Sequence, residues 1–218
     1  MVANLAKNKA ALFDLDGVVL DTESQYSDFW SGIGREFHPD VPQFSQLIKG
    51  QTLVQIYDKW FAHNMELQQH ITERLNVFEL NLNYPYIAGA ESFICQLKEA
   101  GFGLAVVTSS NDIKMKRVYD SHPELKQYFD YILTSEHFTR SKPDPMCYQL
   151  AAEMLSTEIV SCVVFEDSFH GIEAGRRAGM KVVGLATTNA VEDIKPLCSC
   201  VINDFTEISE EKILQMLG

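Results

Sequence analysis

Six short apolar runs set the strongest limit on how this chain can fold: AALF (10–13), FGLAVVT (102–108), YILT (131–134), CVVF (162–165), KVVGLA (181–186) and CVI (200–202). Runs this short and this rich in Val and Ile suit strands buried on both faces. Amphipathic stretches separate the later ones. In AESFICQLKEAG, Phe93, Ile94 and Leu97 share a helical face and Gly101 falls at C′. In DPMCYQLAAEML, Asp144 is the expected N-cap and Pro145 the expected first helical residue. Strand and helix in alternation predict an α/β fold, a doubly wound parallel sheet of Rossmann-like architecture.

Residues 21–84 interrupt that alternation. Here the apolar spacing is helical throughout: Tyr26, Phe29, Trp30, Ile33 and Phe37 form one stripe, Leu53, Ile56, Tyr57, Trp60 and Phe61 a second, and Leu67, Ile71, Leu75 and Phe78 a third. An inserted all-helical cap over 21–84 is therefore expected, with the catalytic core built from 1–20 and 85–218. Trp30, Trp60 and Phe61 read as cap core.

Composition excludes several classes of partner. With 18 Lys and Arg against 30 Asp and Glu, the net charge of −12 disfavours any extended docking surface for nucleic acid or anionic lipid. A small anion would need a local cationic pocket. No apolar run reaches membrane-spanning length, and MVANLAKNKA lacks the apolar stretch of a secretory signal, so no membrane partner and a cytoplasmic setting are expected. The five cysteines are scattered and read as reduced thiols. Oligomeric state is left open, a monomer being the simplest expectation.

Ligands of open parallel sheets sit beyond the carboxyl ends of the strands. Asp14 and Asp16 follow AALF; Thr108, Ser109, Ser110 and Asn111 follow or end the GLAVV run; Lys142 precedes the helix near 145; Glu166 and Asp167 follow CVVF. Each group alone has a structural reading, as a solvated turn, a helix cap or an exposed loop lysine. Together they fall at the strand ends of one sheet. Adjacent carboxylates need a cation between them, and a hard ion with oxygen ligands such as magnesium suits Asp14, Asp16, Glu166 and Asp167. Lys142 and the hydroxyls of Thr108, Ser109 and Ser110 would supply charge and donors to a phosphate opposite the metal.

These segments carry a resemblance. FDLDGVVLDTE, VVTSSN, SKPDP and FEDSFHGIEAGRRAGM resemble, in order and spacing, the four motifs of the haloacid dehalogenase superfamily, and within it the β-phosphoglucomutase-like branch with a helical cap. The resemblance covers nearly the whole chain. It implies that Asp14 is the nucleophile, forming an aspartyl-phosphate, and that Asp16 protonates the leaving oxygen and later activates water. It also implies Mg²⁺ held by the Asp14 carboxylate, the Asp16 carbonyl and Asp167 with Glu166 near or in the shell, Thr108 and the Ser109 amide on the phosphoryl group, and Lys142 beside Asp14.

Dehalogenation needs neither a metal cage nor a second aspartate, so the acids argue for phosphoryl transfer. The mutases of the branch carry a histidine after the first motif and an arginine four residues after the lysine of a cap KG pair. Here those places hold Tyr26 and, after Lys49–Gly50, Leu53. The expectation is a Mg²⁺-dependent phosphatase of a small phosphorylated metabolite, such as a sugar phosphate. The alternatives are a β-phosphoglucomutase-type mutase and a non-enzymatic metabolite-binding protein on the same fold. Specificity is expected from Glu23, Tyr26, Lys49, Gly50 and Gln51.

Overall fold

A computed structural model describes residues 8–218; the first seven, included in the expected core segment 1–20 and in the stretch read for a secretory signal, lie outside the described residues. After β1 (Ala10–Phe13) come four helices, α1 (Glu23–Phe37), α2 (Phe44–Leu47), α3 (Leu53–Trp60) and α4 (Met65–Leu80). The alternation then resumes: α5 (Ala90–Glu99), β2 (Gly103–Val107), α6 (Asp112–Ser121), α7 (Leu125–Tyr128) and β3 (Tyr131–Leu133). It closes with α8 (Met146–Met154), β4 (Cys162–Glu166), α9 (Phe169–Arg177), β5 (Lys181–Leu185), α10 (Val191–Ile194), β6 (Cys200–Ile202) and α11 (Glu210–Leu217).

The six strands form one parallel sheet in the order β3-β2-β1-β4-β5-β6. The chain moves outward from β1 to β2 and β3 on one side, and from β4 to β5 and β6 on the other. The order therefore reverses between β1 and β4, which pair Phe13 with Phe165 at their carboxyl ends. A crevice opens at such a switch point, and ligands bind there in folds of this type.

Period-two alternation divides the strand side chains between two cores. Ala11 and Phe13 join Val106, Phe165, Val183 and the apolar sides of α5 and α11 on one face. Ala10 and Leu12 join Val107, Val164 and the apolar sides of α8 and α9 on the other. Phe13 stacks on Phe165 with centroids 4.5 Å apart, directly beneath the two strand ends that carry the acids. Buried aromatics at the hydrogen-bonded pair hold those ends in register, each such ring contributing about 1.5–3 kcal/mol by burial.

Two helix ends show how local sequence is read. At the end of α5, Gly101 N–H donates to Lys98 O and Phe102 N–H to Leu97 O, both at 3.0 Å, the double bond of a Schellman ending with Gly101 at C′ as the sequence predicts. At α8 the boundary differs by one residue: Pro145 sits at the N-cap and the helix starts at Met146, whose N–H donates to Asp144 Oδ1 at 2.9 Å. Pro145 has no N–H, so the Asp144 carboxylate reaches past it to the first one free.

Helices α1–α4 enclose a third core of Trp30, Ile33, Phe44, Ile48, Ile56, Phe61, Ile71 and Leu75. Thr52 and Gln55 close a reciprocal capping box at the start of α3. The four-residue α2 gave no periodic signal in the sequence. It is held by Phe44, which packs into the gap left by Gly34 of α1. Tyr26 and Phe78 pack against both this core and the sheet core. Among the described residues, no helix is long and apolar enough to cross a membrane, and all five cysteines are free thiols.

Candidate active site

The first strand ends in Asp14, whose N–H donates to Phe165 O at 3.0 Å and so extends the β1–β4 pairing by one bond. The chain turns at once through Asp16 and Gly17. Gly17 has φ of 75°, and a Cβ there would stand 2.2 Å from Asp167 Oδ2. Glycine takes this conformation without strain and leaves that space, so Gly17 lets the turn after β1 pack closely on the Asp167 side chain. Oxygens of Asp14, Glu166 and Asp167 all lie within 4.8 Å of one another.

Lys142, 1% exposed, is the cation among them. Its Nζ donates to Asp14 Oδ1 at 2.7 Å, Glu166 Oε1 at 2.6 Å and Val107 O at 3.0 Å. The fully buried Glu166 uses both oxygens on protein donors: Oε1 accepts from Lys142 and Tyr148 Oη, and Oε2 from Asp167 N, Ser168 N and Ser168 Oγ. An added Cβ at Gly171 would fall 1.7 Å from Glu166 Oε1, so that glycine makes room for the carboxylate under α9. Glu166 thus anchors Lys142 on one side and the Asp167–Ser168 backbone on the other.

Asp167 has no cation partner among the described residues. Its side chain accepts a short hydrogen bond from Thr188, and Asn189 Nδ2 donates to its carbonyl at 2.7 Å. Burial raises its carboxyl well above the usual range, and Glu23, Glu166 and Asp14 push it further. Burial likewise takes Asp14 up to about 7, with Lys142 pulling down and Glu166 pushing up. Lys142 moves the opposite way to what burial alone would give: Asp14 and Glu166 hold its ammonium well above the usual lysine value. Three acids sharing one lysine leave negative charge without compensation, and the all-oxygen donor set suits a hard divalent cation.

The structure brings Thr108, Ser109 and Ser110 to the end of β2 beside these acids. Thr108 N–H continues the sheet to Leu133 O at 2.9 Å, and its Oγ1 accepts from Ser110 N at 3.0 Å. Ser109 Oγ is buried without a partner at the wall of the cavity. Asp16 is crowded with donors: Ser110 Oγ at 2.9 Å, Lys114 Nζ at 2.6 Å from both carboxylate oxygens, and a short bond from Thr22. Burial would raise the Asp16 carboxyl, but Lys114 and these hydrogen bonds outweigh it and hold it below the usual value.

A cavity of about 900 Å³ lies between these strand ends and α1–α4, and all five expected specificity residues, Glu23, Tyr26, Lys49, Gly50 and Gln51, line it. So does Trp30, which is also core to the insert. The structure puts Tyr26 to a particular use: its hydroxyl donates to Glu79 Oε1 at 2.9 Å and its ring covers Lys114 Nζ at 4.2 Å. Glu79 in turn pairs with Arg117 at 2.6 Å.

Lys114, Thr22, Glu79 and Arg140 are lining or supporting residues that the sequence reading missed. Lys114 gave no signal in the sequence: that it lies three residues after a helix cap, Asn111, and only 4% exposed is set by the fold. A buried lysine always needs a partner, but which one is visible only after folding.

The sequence model of the haloacid dehalogenase-like hydrolases matches residues 11–185, from β1 through β5. The chain belongs to that family. Among the relatives of this haloacid dehalogenase-like hydrolase is the validoxylamine A 7′-phosphate phosphatase of Streptomyces hygroscopicus subsp. limoneus, 28% identical over 207 residues that cover 92% of this chain and 95% of the relative. The phosphorylated carbohydrates phosphatase of Thermotoga maritima is 27% identical over 222 residues, covering 96% and 98%. The fold is also that of the β-phosphoglucomutase from Clostridium difficile, with a TM-score of 0.77 at 21% identity and coverage of 96% and 97%.

Proposed function

We propose that this haloacid dehalogenase-like hydrolase is a Mg²⁺-dependent phosphatase of a small phosphorylated metabolite, with a sugar or polyol phosphate the favoured class, acting in the cytoplasm. The observation that carries the reading is Asp14: it stands at the switch point of the sheet, one oxygen bonded to Lys142, facing a cavity large enough for such an ester. The relatives named as phosphatases support it.

In the proposed reaction an Asp14 oxygen attacks phosphorus, forming the aspartyl-phosphate as the bond to the leaving oxygen breaks. Asp16 gives that oxygen its proton. It then takes a proton from the water that attacks the same phosphorus, freeing Asp14 and inorganic phosphate. Both Asp16 oxygens are now engaged by Thr22, Ser110 and Lys114, which hold the carboxyl ionised, so Asp16 has to part from Lys114 and take up a proton from solvent before it can give one to the leaving oxygen. Lys142 keeps charge beside Asp14, and Thr108, Ser109 and Ser110 present donors to the phosphoryl group. Asp14, Asp167 and the Asp16 carbonyl would hold Mg²⁺, which would supply the positive charge that lets an anionic carboxylate approach an anionic ester. Glu166, its oxygens used on Lys142, Tyr148 and the following backbone, serves from outside by fixing Lys142.

Helices α1–α4, within the segment 21–84, act in this reading as the cap that shields the reaction and selects the substrate. Hydrolysis is favoured over mutase chemistry by the cavity's cations. Among the described residues lining it, Lys49 pairs with Glu23, Lys114 with Asp16 and Arg140 with Asp144, and Leu53 lines the place expected of a mutase arginine. A mutase has to grip a second phosphate. Steady-state phosphate release from a panel of sugar and polyol phosphates with Mg²⁺ tests the proposal. Conversion of β-glucose 1-phosphate to glucose 6-phosphate without phosphate release would overturn it.

A further inference from the structure

The segment Lys49–Gln55 lines the cavity that Asp14 also faces, and it rests directly on core loops that carry site residues. His170 Nδ1 lies 3.0 Å from the carbonyl oxygen of Lys49. Next to it, a Cβ at Gly50 would stand 2.7 Å from Ser168 Oγ and 3.3 Å from His170 Cβ, so the Gly50 backbone packs directly on the side chains of Ser168 and His170. At the far end of the segment, Gln55 Nε2 donates to the carbonyl of Lys142 at 3.3 Å. Lys49 Nζ is 3.5 Å from Thr188 O, whose residue also contacts Asp167.

We propose that His170 is a positioning residue, a clasp from the catalytic core that fixes Lys49 and Gly50 over the site by donating from Nδ1 to the Lys49 carbonyl. A carbonyl can only accept, so the bond requires the proton on Nδ1. The contact reads no side chain of the insert. It grips the main chain beside the one residue whose missing Cβ permits the approach, and so sets the height of the Lys49–Gly50 wall above Asp14 and Asp167. Gln55 holds the other end by the same device, a side chain on a main-chain carbonyl. Together they register the substrate-facing wall against the two loops that carry Lys142 and Asp167. The structural claim stands by itself; its kinetic consequence rests on the phosphatase reading.

The test compares the full-length protein with H170A and H170N in Mg²⁺, first by amide hydrogen exchange. H170A should speed exchange within 49–55 about tenfold, as loss of one hydrogen bond does, while H170N, which keeps a donor at the same place, should stay within about threefold of the parent. Kinetically, H170A should lower kcat/KM for a hexitol 6-phosphate about fivefold or more, while acetyl phosphate, too small to reach the wall, changes less than about twofold. Unchanged exchange in H170A, H170N behaving as H170A, or equal losses on both phosphates would each overturn the clasp. A parent protein that releases phosphate from neither compound defeats the phosphatase reading alone, because the exchange comparison still decides the clasp.

Discussion

Asp14, Glu166 and Asp167 repel one another in a space where one ammonium, that of Lys142, pairs with only the first two. Lys142 is worth more to the fold than a surface lysine, because its removal leaves two buried carboxylates facing each other. Lys142→Met is expected to cost about 3–5 kcal/mol, the cost of breaking a buried ion pair, read as a lowered urea midpoint with unchanged slope. Asp14→Asn acts in the opposite sense on stability, since it removes one of the crowded charges. An amide cannot take the phosphoryl group, so turnover is expected to fall by ~10³-fold or more while the circular dichroism spectrum persists. Substantial residual activity in a clean preparation would contradict the assignment of the nucleophile.

Helices and strands here are placed by a few steric permissions. Gly34 lies inside α1, where alanine is ordinarily the better helix former by about 1 kcal/mol. A Cβ there would sit 2.6 Å from Phe44 Cβ and 2.9 Å from Phe44 Cγ, so α2 would have to move. Gly34→Ala is therefore expected to destabilise by about 1 kcal/mol or more, overpacking outweighing propensity, and to lower the thermal midpoint. A rise in the midpoint would show that α2 yields freely. The strands were legible because each run is short, apolar and bounded by polar residues. Their edges shifted by a residue, as at Phe102 and Thr108, which flank β2 rather than belong to it. The four-residue α2 was not legible, being shorter than the repeat by which helices are recognised.

Across the molecule, acid crowding couples stability to pH and to metal. In the unfolded chain Asp14 ionises near 3.8 and in the fold near 7, so its contribution to stability is full below 3.8 and lost as pH climbs through about 7. Asp167 shifts in the same direction. The metal-free protein is therefore expected to lose thermal stability between pH 5 and 8. With Mg²⁺ held as proposed by the ionised acids, its addition should raise the midpoint more at pH 8 than at pH 5, measured by calorimetry at fixed ionic strength. An equal Mg²⁺ effect at both values would rule out these carboxylates as its ligands. The sequence by itself determined the sheet, the helical insert after β1 and the acids, lysine and hydroxyls at the strand ends, because apolar period and polar punctuation are local properties of the chain. Only the tertiary structure decided the partners: Lys114 on Asp16, Tyr26 over Lys114, Glu166 turned wholly to protein donors, and His170 on the Lys49 carbonyl. Those pairings join residues far apart in the chain, and the direction of a side chain at a strand end is fixed by what the fold packs beside it.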